Sequence, residues 1–375
     1  MATSLVRLLF VAFLTSSTVA EAQSVTSLNP VWERQIKGGG WLATHESGKC
    51  LVVSENGSVE VLKPSGEVWW NWRYKKVSRY ISPRTAAIAP GCDAIAIVGS
   101  SGYRYTWIVE QSGGSVAVAT VTTPQDATFD RTGRLIAIGT GGATLQLHDR
   151  AGALQWKREL TDAILVSDLE VSDDNTQILV KGWTGAGIVG LNGHVRWSAY
   201  ANRFTASRDL KTFVFSYEPN HGPGLPQINV TSETRTKLWS RFALVEVFVS
   251  ANGSRILATV DGRQNKEEKD FLAESQERIV QLLSRDGDVI TSYPEFDGAL
   301  ALSEDGTRVW LRSERSLACL NEKNELLADI EIAPMVFNWA RFSVTRNFDW
   351  VIAAYQLPGE KWAIKAYSVP PPCSQ

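Results

Sequence analysis

The sequence contains few of the side chains that metal and redox chemistry needs. Its 375 residues include four His, two Met and four Cys, with no Cys-Cys pair and no Cys-x-x-Cys motif. Soft metal ions bind to clusters of His and Cys, so the composition argues against a zinc or copper site. Motifs for a nucleotide-binding loop, a serine hydrolase and a zinc protease are also missing. The sequence therefore predicts no catalytic residue, no metal ligand and no cofactor.

Neither an excess of one charge nor a long apolar run is present. The 38 basic and 40 acidic residues give a formal net charge of −2, and nucleic acids and anionic membranes select strongly basic surfaces. The apolar run Leu8–Leu14 follows Arg7 and is too short to span a bilayer. With a small-x-small motif ending at Ala22, it is typical of a secretory signal peptide; the alternative is a buried N-terminal helix.

We therefore expect a signal peptide at residues 1–22, cleaved after Ala22, and a single domain at residues 23–375. The mature protein would be secreted or periplasmic, with no membrane span and no nucleic-acid partner. The four cysteines, an even number, permit two disulfides with three possible pairings in such a compartment. Buried free thiols are the alternative. These cysteines are Cys50, Cys92, Cys319 and Cys373.

A turn of Ser, Asp, Asn or Gly type between two apolar strands recurs eight times along the chain. The spacing is near 42 residues, with one shorter step of 34 and one longer step of 53. In the first unit the pattern predicts four strands at residues 41–46, 50–54, 58–62 and 67–73. Repeated four-stranded units of this length are typical of a β-propeller. The later units are predicted to begin near Arg84, Asp126, Val166, Arg203, Leu244, Gly298 and Val336.

The last unit lacks a fourth strand, because Pro370-Pro371-Pro372 cannot continue a sheet ladder. Residues 31–36 resemble the fourth strands of the other units. We therefore expect them to complete the last blade and close the ring, which removes an open sheet edge. The predicted fold is all-β, with eight blades. Seven blades are the alternative, if the short unit 204–240 merges with a neighbour.

Tryptophan recurs at a fixed place in the fourth strand, four residues after a turn glycine. Side chains alternate between the faces of a strand, so these residues occupy equivalent positions, and we interpret them as packing between blades. The set comprises Trp70, Trp156 and Trp197, with looser copies at Trp32 and Trp239. Four others do not fit this place, namely Trp69, Trp72, Trp183 and Trp339. Of these, Trp69 and Trp72 are our candidates for an aromatic binding surface.

The stretch Glu55–Trp70, with its two turn glycines and closing tryptophan, resembles a repeat of the quinoprotein-like (pyrroloquinoline-quinone-type) β-propellers. The turns within the units also resemble those of WD-repeat proteins. One branch of the superfamily comprises quinone-dependent alcohol dehydrogenases, which are larger and often use a vicinal Cys pair. Another is the eight-bladed lipoprotein scaffold of the bacterial outer-membrane barrel-assembly machinery, whose lipid-bearing Cys has no counterpart here. A third comprises secreted propellers that bind proteins or glycans.

Two segments depart from the repeat and are candidate binding loops. The insertion Gly262–Glu277 contains Lys266 and Phe271, and the Pro- and Gly-rich stretch Tyr217–Pro226 contains His221. Each joins the second and third strands of its unit, so both should emerge from one face of the ring. Long loops on a rigid scaffold often carry function. A solvated insertion and a short surface helix are the plainer interpretations.

Titratable residues give only weak candidates. Alternation places Asp168 and Glu170 on one face of a strand, an arrangement that can hold a cation near the ring axis; a solvated turn at residues 168–174 is the alternative. The four histidines lie in different units, and we expect them to be surface or turn residues. The sequence thus favours a non-enzymatic binding or scaffold protein that recognises a protein or glycan through interblade loops. The alternative is an enzyme that uses the central channel, either a quinoprotein oxidoreductase or a polysaccharide lyase.

Overall fold

A computed structural model gives the fold of the chain. It describes residues 26–37, 42–44, 47–55, 57–74, 83–99, 104–120, 122–160, 164, 166–182, 185–200, 203–217, 227–232, 237–261, 278–332, 341–357 and 361–374. The chain is all-β over these ranges. Within them, no helix is long and apolar enough to cross a bilayer.

The strands follow one another in short antiparallel sheets. In chain order they are β1 (Thr26–Ser27), β2 (Trp32–Lys37), β3 (Leu42–Thr44), β4 (Leu51–Glu55), β5 (Ser58–Leu62), β6 (Val68–Arg73), β7 (Pro83–Ile88), β8 (Ala94–Gly99), β9 (Tyr105–Glu110), β10 (Ser115–Ala119), β11 (Pro124–Phe129), β12 (Leu135–Thr140), β13 (Thr144–Asp149), β14 (Leu154–Glu159), β15 (Val166–Val171) and β16 (Gln177–Gly182). They continue as β17 (Gly185–Gly190), β18 (Val195–Tyr200), β19 (Arg203–Ala206), β20 (Thr212–Tyr217), β21 (Gln227–Ser232), β22 (Lys237–Val249), β23 (Arg255–Asp261), β24 (Arg278–Ser284), β25 (Val289–Tyr293), β26 (Gly298–Leu302), β27 (Arg308–Arg312), β28 (Ser316–Asn321), β29 (Leu326–Glu331), β30 (Arg341–Val344), β31 (Trp350–Leu357) and β32 (Lys361–Ser368).

These strands build eight four-stranded blades in a ring. Blades 1 to 4 are β3–β6, β7–β10, β11–β14 and β15–β18. The long strand β22 ends blade 5 (β19–β22) and, after a register shift, begins blade 6 (β22–β25). Blade 7 is β26–β29, and blade 8 is β30–β32 with β2. The predicted eight-bladed propeller is confirmed, and the seven-bladed alternative is wrong. The expected start of the last unit at Val336 lies outside the described residues.

The ring closes as the sequence predicts. Strand β2 pairs antiparallel with β32, from Trp32 opposite Ala366 to Lys37 opposite Lys361, so both ends of the chain build blade 8. One strand is additional to the prediction. The short β1 adds to the outer edge of β29 in parallel, which gives blade 7 a fifth strand.

The hydrophobic core lies between the blades. One cluster, for example, combines Val59 and Trp70 of blade 1 with Ile95 and Trp107 of blade 2. A four-stranded sheet cannot bury both faces by itself, so each blade depends on its neighbours for burial.

The tryptophans of the fourth strands fasten one blade to the next. The indole N–H of Trp32 in blade 8 donates to the carbonyl of Pro64 in blade 1 (2.8 Å), and that of Trp156 in blade 3 donates to Leu191 in blade 4 (2.7 Å). Each acceptor lies beside the turn between the third and fourth strands of the next blade. A buried indole N–H needs such a partner, and the repeat supplies it.

The turn glycine makes room for the indole ring. A Cβ added at Gly66 would lie 2.9 Å from the ring of Trp32, and one at Gly193 would lie 3.1 Å from that of Trp156. Both glycines also have positive φ angles, +85° and +80°, which favour glycine. Tryptophan and glycine therefore recur together because they form one contact across each of these two interfaces.

Other blades vary this contact. Trp70 is buried and donates to the carbonyl of Cys92 (2.9 Å), whereas Trp197 stacks on Phe213 of blade 5 with ring centroids 5.6 Å apart. The packing interpretation holds for these residues. The side chain of Trp239 lies outside the described residues.

In blade 6, where the tryptophan is missing, a threonine takes over the contact. Thr291 lies four residues after Gly287, and its hydroxyl donates to the carbonyl of Glu322 in blade 7. The interblade hydrogen bond is therefore kept although the sequence motif is lost.

A β-bulge precedes this position in six of the described blades, and periodicity alone does not reveal it. In blade 1 the pairing moves from Leu62 opposite Val68 to Val61 opposite Trp70, so Trp69 is the extra residue. The same shift occurs in blades 3 to 7. A bulge increases local twist and redirects the following side chain, which turns the tryptophan position toward the next blade.

Two disulfides flank the composite blade 8. Cys50 is joined to Cys92, which links blades 1 and 2, and Cys319 in blade 7 is joined to Cys373 in the segment after β32. No free cysteine remains among the described residues. The C-terminal segment is thereby attached to the neighbouring blade.

We predict that the Trp156 contact can be separated into hydrogen bonding and packing. Trp156→Phe leaves the Leu191 carbonyl without its donor and should lower the unfolding free energy by about 1 kcal/mol. Trp156→Ala also removes the ring from the interface and should cost about 3 kcal/mol. Urea unfolding monitored by circular dichroism measures both. As a control, Gln155→Ala changes the exposed bulge residue of the same strand and should have little effect; equal losses for all three variants would contradict the contact.

Candidate functional site

The first strands of the blades line a central channel. One cavity of about 380 Å³ lies against the first strands of blades 2 to 4, and another of about 440 Å³ lies against those of blades 4 to 8. Asp168, Glu170 and Lys181 line both cavities, so the two adjoin at blade 4. The opposite wall is largely apolar and includes Phe248 and Leu302.

One end of the channel is crossed by ion pairs. Asp173 lies in the turn between the first two strands of blade 4, and Arg346 lies in the same turn of blade 8. An Arg346 guanidinium nitrogen is 2.9 Å from an Asp173 carboxylate oxygen, and Arg131 of blade 3 approaches the same carboxylate to 3.1 Å. Blades 4 and 8 are opposite one another in a ring of eight, so this contact spans the channel.

Two further charges complete what we term the central charge cluster. Arg208 of blade 5 lies 3.6 Å from Asp173 and 3.5 Å from Glu304 of blade 7. Arg346 also contacts Glu304. Five blades thus contribute Arg131, Asp173, Arg208, Glu304 and Arg346. Asp173 therefore forms ion pairs with three arginines, and it lies in an exposed turn, as expected.

Asp168 and Glu170 lie on one face, as predicted. The cation that they bind is the side-chain ammonium group of Lys181. The Nζ of Lys181 on the adjacent strand is 2.9 Å from Asp168 and 3.2 Å from Glu170. Burial alone would lower the pKa of Lys181, but the two carboxylates raise it above its ordinary value. Lys181 is therefore a structural counter-ion. No group of three or more His, Cys, Asp or Glu in the described part of the chain is arranged to hold a metal ion.

Asp126 occupies in blade 3 the position that Asp168 occupies in blade 4. Both follow a β-bulge in the first strand of their blade. The Asp126 carboxylate accepts the backbone N–H of Leu169 (2.8 Å). Burial, assisted by the charge of Asp168, raises the pKa of Asp126 to about 8. The raised pKa therefore favours the protonated form of Asp126 within the channel wall.

The histidines do not face the channel where they are described. His148 is buried, and its ring nitrogens contact the Gly152 carbonyl (3.2 Å) and the Gln146 side chain (3.3 Å). Burial lowers the pKa of His148, so a neutral ring is favoured. The expectation of a surface or turn residue is wrong for His148, whereas His194 is exposed. His45 and His221 lie outside the described residues.

The aromatic candidates lie on the outer strand of blade 1. Trp69 is 40% exposed. Trp72 is half-buried, packs against the core between blades 1 and 2, and has its ring centroid 6.2 Å from that of Tyr74. The structure therefore brings Trp69 and Trp72 to one strand at the rim of the ring. Trp183 and Trp339 lie outside the described residues.

The two candidate loops, with His221, Lys266 and Phe271, also lie outside the described residues. Their flanking strands are described: β20 and β21 pair with one another, as do β23 and β24. Residues 218–226 and 262–277 therefore join the second and third strands of neighbouring blades, as expected.

Sequence analysis missed Lys181 and the arginines of the central charge cluster. Lys181 has a usable signal, because it lies in the strand that pairs with Asp168 and Glu170. Arg346 has none, since its partner Asp173 is 173 residues away in the chain.

Comparison with known proteins identifies the fold. No protein-family profile matches the chain, and no curated protein sequence does. Among solved structures, BamB from Moraxella catarrhalis is 12% identical with a TM-score of 0.59, over 91% of this chain and 99% of that one. The dihydro-heme d1 dehydrogenase NirN, solved in complex with DHE, is 14% identical with a TM-score of 0.59, over 87% and 72% of the two chains.

Both structures support the predicted β-propeller fold. At these identities the likeness concerns architecture, and function has to be argued from the residues.

We predict that Asp126 makes stability depend on pH. Because its pKa is raised on folding from 3.8 to about 8, the folded state holds a proton that the unfolded state releases, and stability should fall as pH rises between these values. Asp126→Asn keeps an acceptor for the Leu169 N–H without the charge, so it should flatten this decline and stabilise the protein most at pH 8. Thermal melts from pH 5 to 9 test this.

Glu159→Gln is the matched control, because it removes a carboxylate that is 82% exposed from the same blade. It should leave the pH dependence unchanged. If Asp126→Asn melts in parallel with the wild-type protein across the whole range, the assignment of Asp126 is wrong.

Proposed function

We propose that the protein is a secreted or periplasmic, non-enzymatic scaffold that binds a protein or glycan partner outside its channel. The partner would lie on the face from which residues 218–226 and 262–277 emerge. These two connections break the repeat on neighbouring blades, and a rigid ring holds their ends at a fixed separation.

The central charge cluster is the observation that carries this proposal. Five side chains from five blades meet across one end of the channel, with Asp173 and Arg346 bridging opposite sides. A channel crossed in this way by the protein's own side chains does not offer a through passage. The channel carboxylates Asp168 and Glu170 likewise form ion pairs with Lys181. Recognition by the surface is then the simpler use of the ring.

The second candidate is an enzyme that works inside the channel. Asp126 favours it, because a protonated carboxyl in a cavity can act as a general acid. A quinoprotein oxidoreductase is the most specific form of this idea, since the fold resembles that superfamily. We predict that adding pyrroloquinoline quinone with calcium to the purified protein leaves the quinone absorption spectrum unchanged. A stoichiometric spectral shift that Asp126→Asn abolishes would favour the enzyme and overturn the scaffold.

We predict that shortening both connections removes partner binding without unfolding the ring. Residues 218–226 and 262–277 would each be replaced by a short Gly-Ser linker. Chemical crosslinking followed by mass spectrometry, in cells that express each variant, measures the partners that are captured. Crosslinks seen with the wild-type protein should disappear, while circular dichroism and the melting temperature stay close to wild type, because the entropy of closing a loop changes only slowly with its length.

The matched control is Lys323→Ser, which changes an exposed turn residue between the third and fourth strands of blade 7, on the other face of the ring. It should retain the crosslinks. An unchanged crosslink pattern in the shortened variant would disprove the loop-face proposal.

A further inference from the structure

Blade 7 binds an extended segment at its outer edge. The segment is the chain's own β1, which runs parallel to β29. The N–H of Leu28, the residue after β1, donates to the carbonyl of Asp329 (2.8 Å). The Leu28 side chain is buried in a cluster that includes Leu327 and Ile330. Main-chain hydrogen bonds and one apolar anchor are the elements of peptide recognition by strand addition.

Blade 1 presents an equivalent edge. Trp70 of β6 corresponds to Ala328 of β29, because each follows the bulge and pairs with the third strand of its blade. Trp69 therefore corresponds to Leu327, and Trp72 to Ile330. Within the described residues, no strand pairs with the outer edge of β6. Trp69 is accordingly 40% exposed, whereas Leu327, beneath the β1 segment, is 9% exposed.

The backbone of β6 also presents the required groups. The N–H of Tyr74 donates inward to the Gly57 carbonyl, and alternate residues of a strand point their backbone groups the same way. Asn71, three residues earlier, therefore directs its N–H and carbonyl outward. It corresponds to Asp329, whose carbonyl accepts the β1 segment.

Two other fourth strands, β14 and β25, lack this combination. Strand β14 carries Lys157 and Arg158 beside its tryptophan, and charges of this kind discourage strand addition. Strand β25 exposes Val289 and Ile290, but Tyr293, at the position of Trp72, is only 1% exposed and offers no anchor. The edge of β6 thus carries exposed apolar side chains and a half-exposed aromatic ring, with a single charge at Arg73.

We propose that the outer edge of β6 binds an extended polypeptide segment of a partner protein as a fifth, parallel strand of blade 1. An apolar side chain of that segment packs on Trp72, as Leu28 packs beside Ile330, and Trp69 covers the other side. This inference rests on the proposed scaffold function and deepens it by naming a polypeptide as the ligand. It uses the rim of the ring and not the loop face.

The test selects random linear peptides displayed on phage against the protein, with the Asn71→Pro variant for counter-selection. Proline at an outward-facing edge position removes one N–H without disturbing the inner ladder. Enriched peptides should carry alternating apolar residues. Their binding, measured by fluorescence anisotropy of labelled copies, should weaken about tenfold in Asn71→Pro through loss of main-chain hydrogen bonds and should also weaken in Trp69→Ser.

Lys157→Pro is the matched control, because Lys157 occupies the same place on β14 and directs its N–H outward in the same way. It should bind the peptides like the wild-type protein. Failure to enrich any peptide, or equal affinity for Asn71→Pro, would overturn the inference. Binding of chitohexaose or cellohexaose that is lost in Trp69→Ser and retained in Asn71→Pro would also overturn it, in favour of sugar stacking. The variant with shortened loops should still bind the peptides, so failure of the loop-face proposal remains distinguishable.

Discussion

The pairing of β2 with β32 is the constraint on which the remaining structure depends. Each blade buries its faces only against its neighbours, so an open array would leave two apolar sheets exposed to water. Building blade 8 from both ends of the chain removes those surfaces. The closing interface then uses the same contact as the others: Trp32 docks on the turn at Gly66 as Trp156 docks on the turn at Gly193. Closure therefore adds no new type of interaction to the repeat.

Closure of the ring also brings together the charged side chains in the turns that follow the first strands. When eight first strands face one axis, the turns that follow them converge, and their polar side chains must find partners among other blades. Asp173 meets arginines from blades 3, 5 and 8. Paired charges that are partly removed from water fix relative positions more than they add stability. The central charge cluster thus holds opposite sides of the ring in register.

Features that depend on residues close together in the sequence could be predicted, whereas features that depend on contacts between distant residues could not. Strand positions, turns, blade number and the Trp70 packing follow from residues close together in sequence, because each repeat imposes the same local geometry. The Asp173–Arg346 pair joins residues from opposite blades, and no periodicity in the sequence predicts this contact. Strand β1 has only two residues and pairs in parallel, so it carries no recognisable alternation. The bulge before Trp70 could not be predicted either, because it redirects the side chains of β6 without changing the residue types in the strand. Lys181 required the register of β15 with β16 before its pairing with Asp168 and Glu170 could be recognised.

The neighbouring residues Trp69 and Trp70 of β6 differ in role: one packs against the next blade, and the other is available for binding. Trp70 occupies a position at which Trp156 and Trp197 also contact the next blade, and blade 6 has Thr291 there, which keeps a hydrogen bond. Trp69 occupies the bulge, where blades 3 and 4 place the exposed polar residues Gln155 and Arg196. The fold accepts either kind of residue there, so packing does not explain a large exposed indole. A side chain that the repeat neither requires nor buries is free to serve recognition. The exposure of Trp69 therefore indicates a binding site at the edge of β6. The total number of tryptophans in the chain does not indicate one.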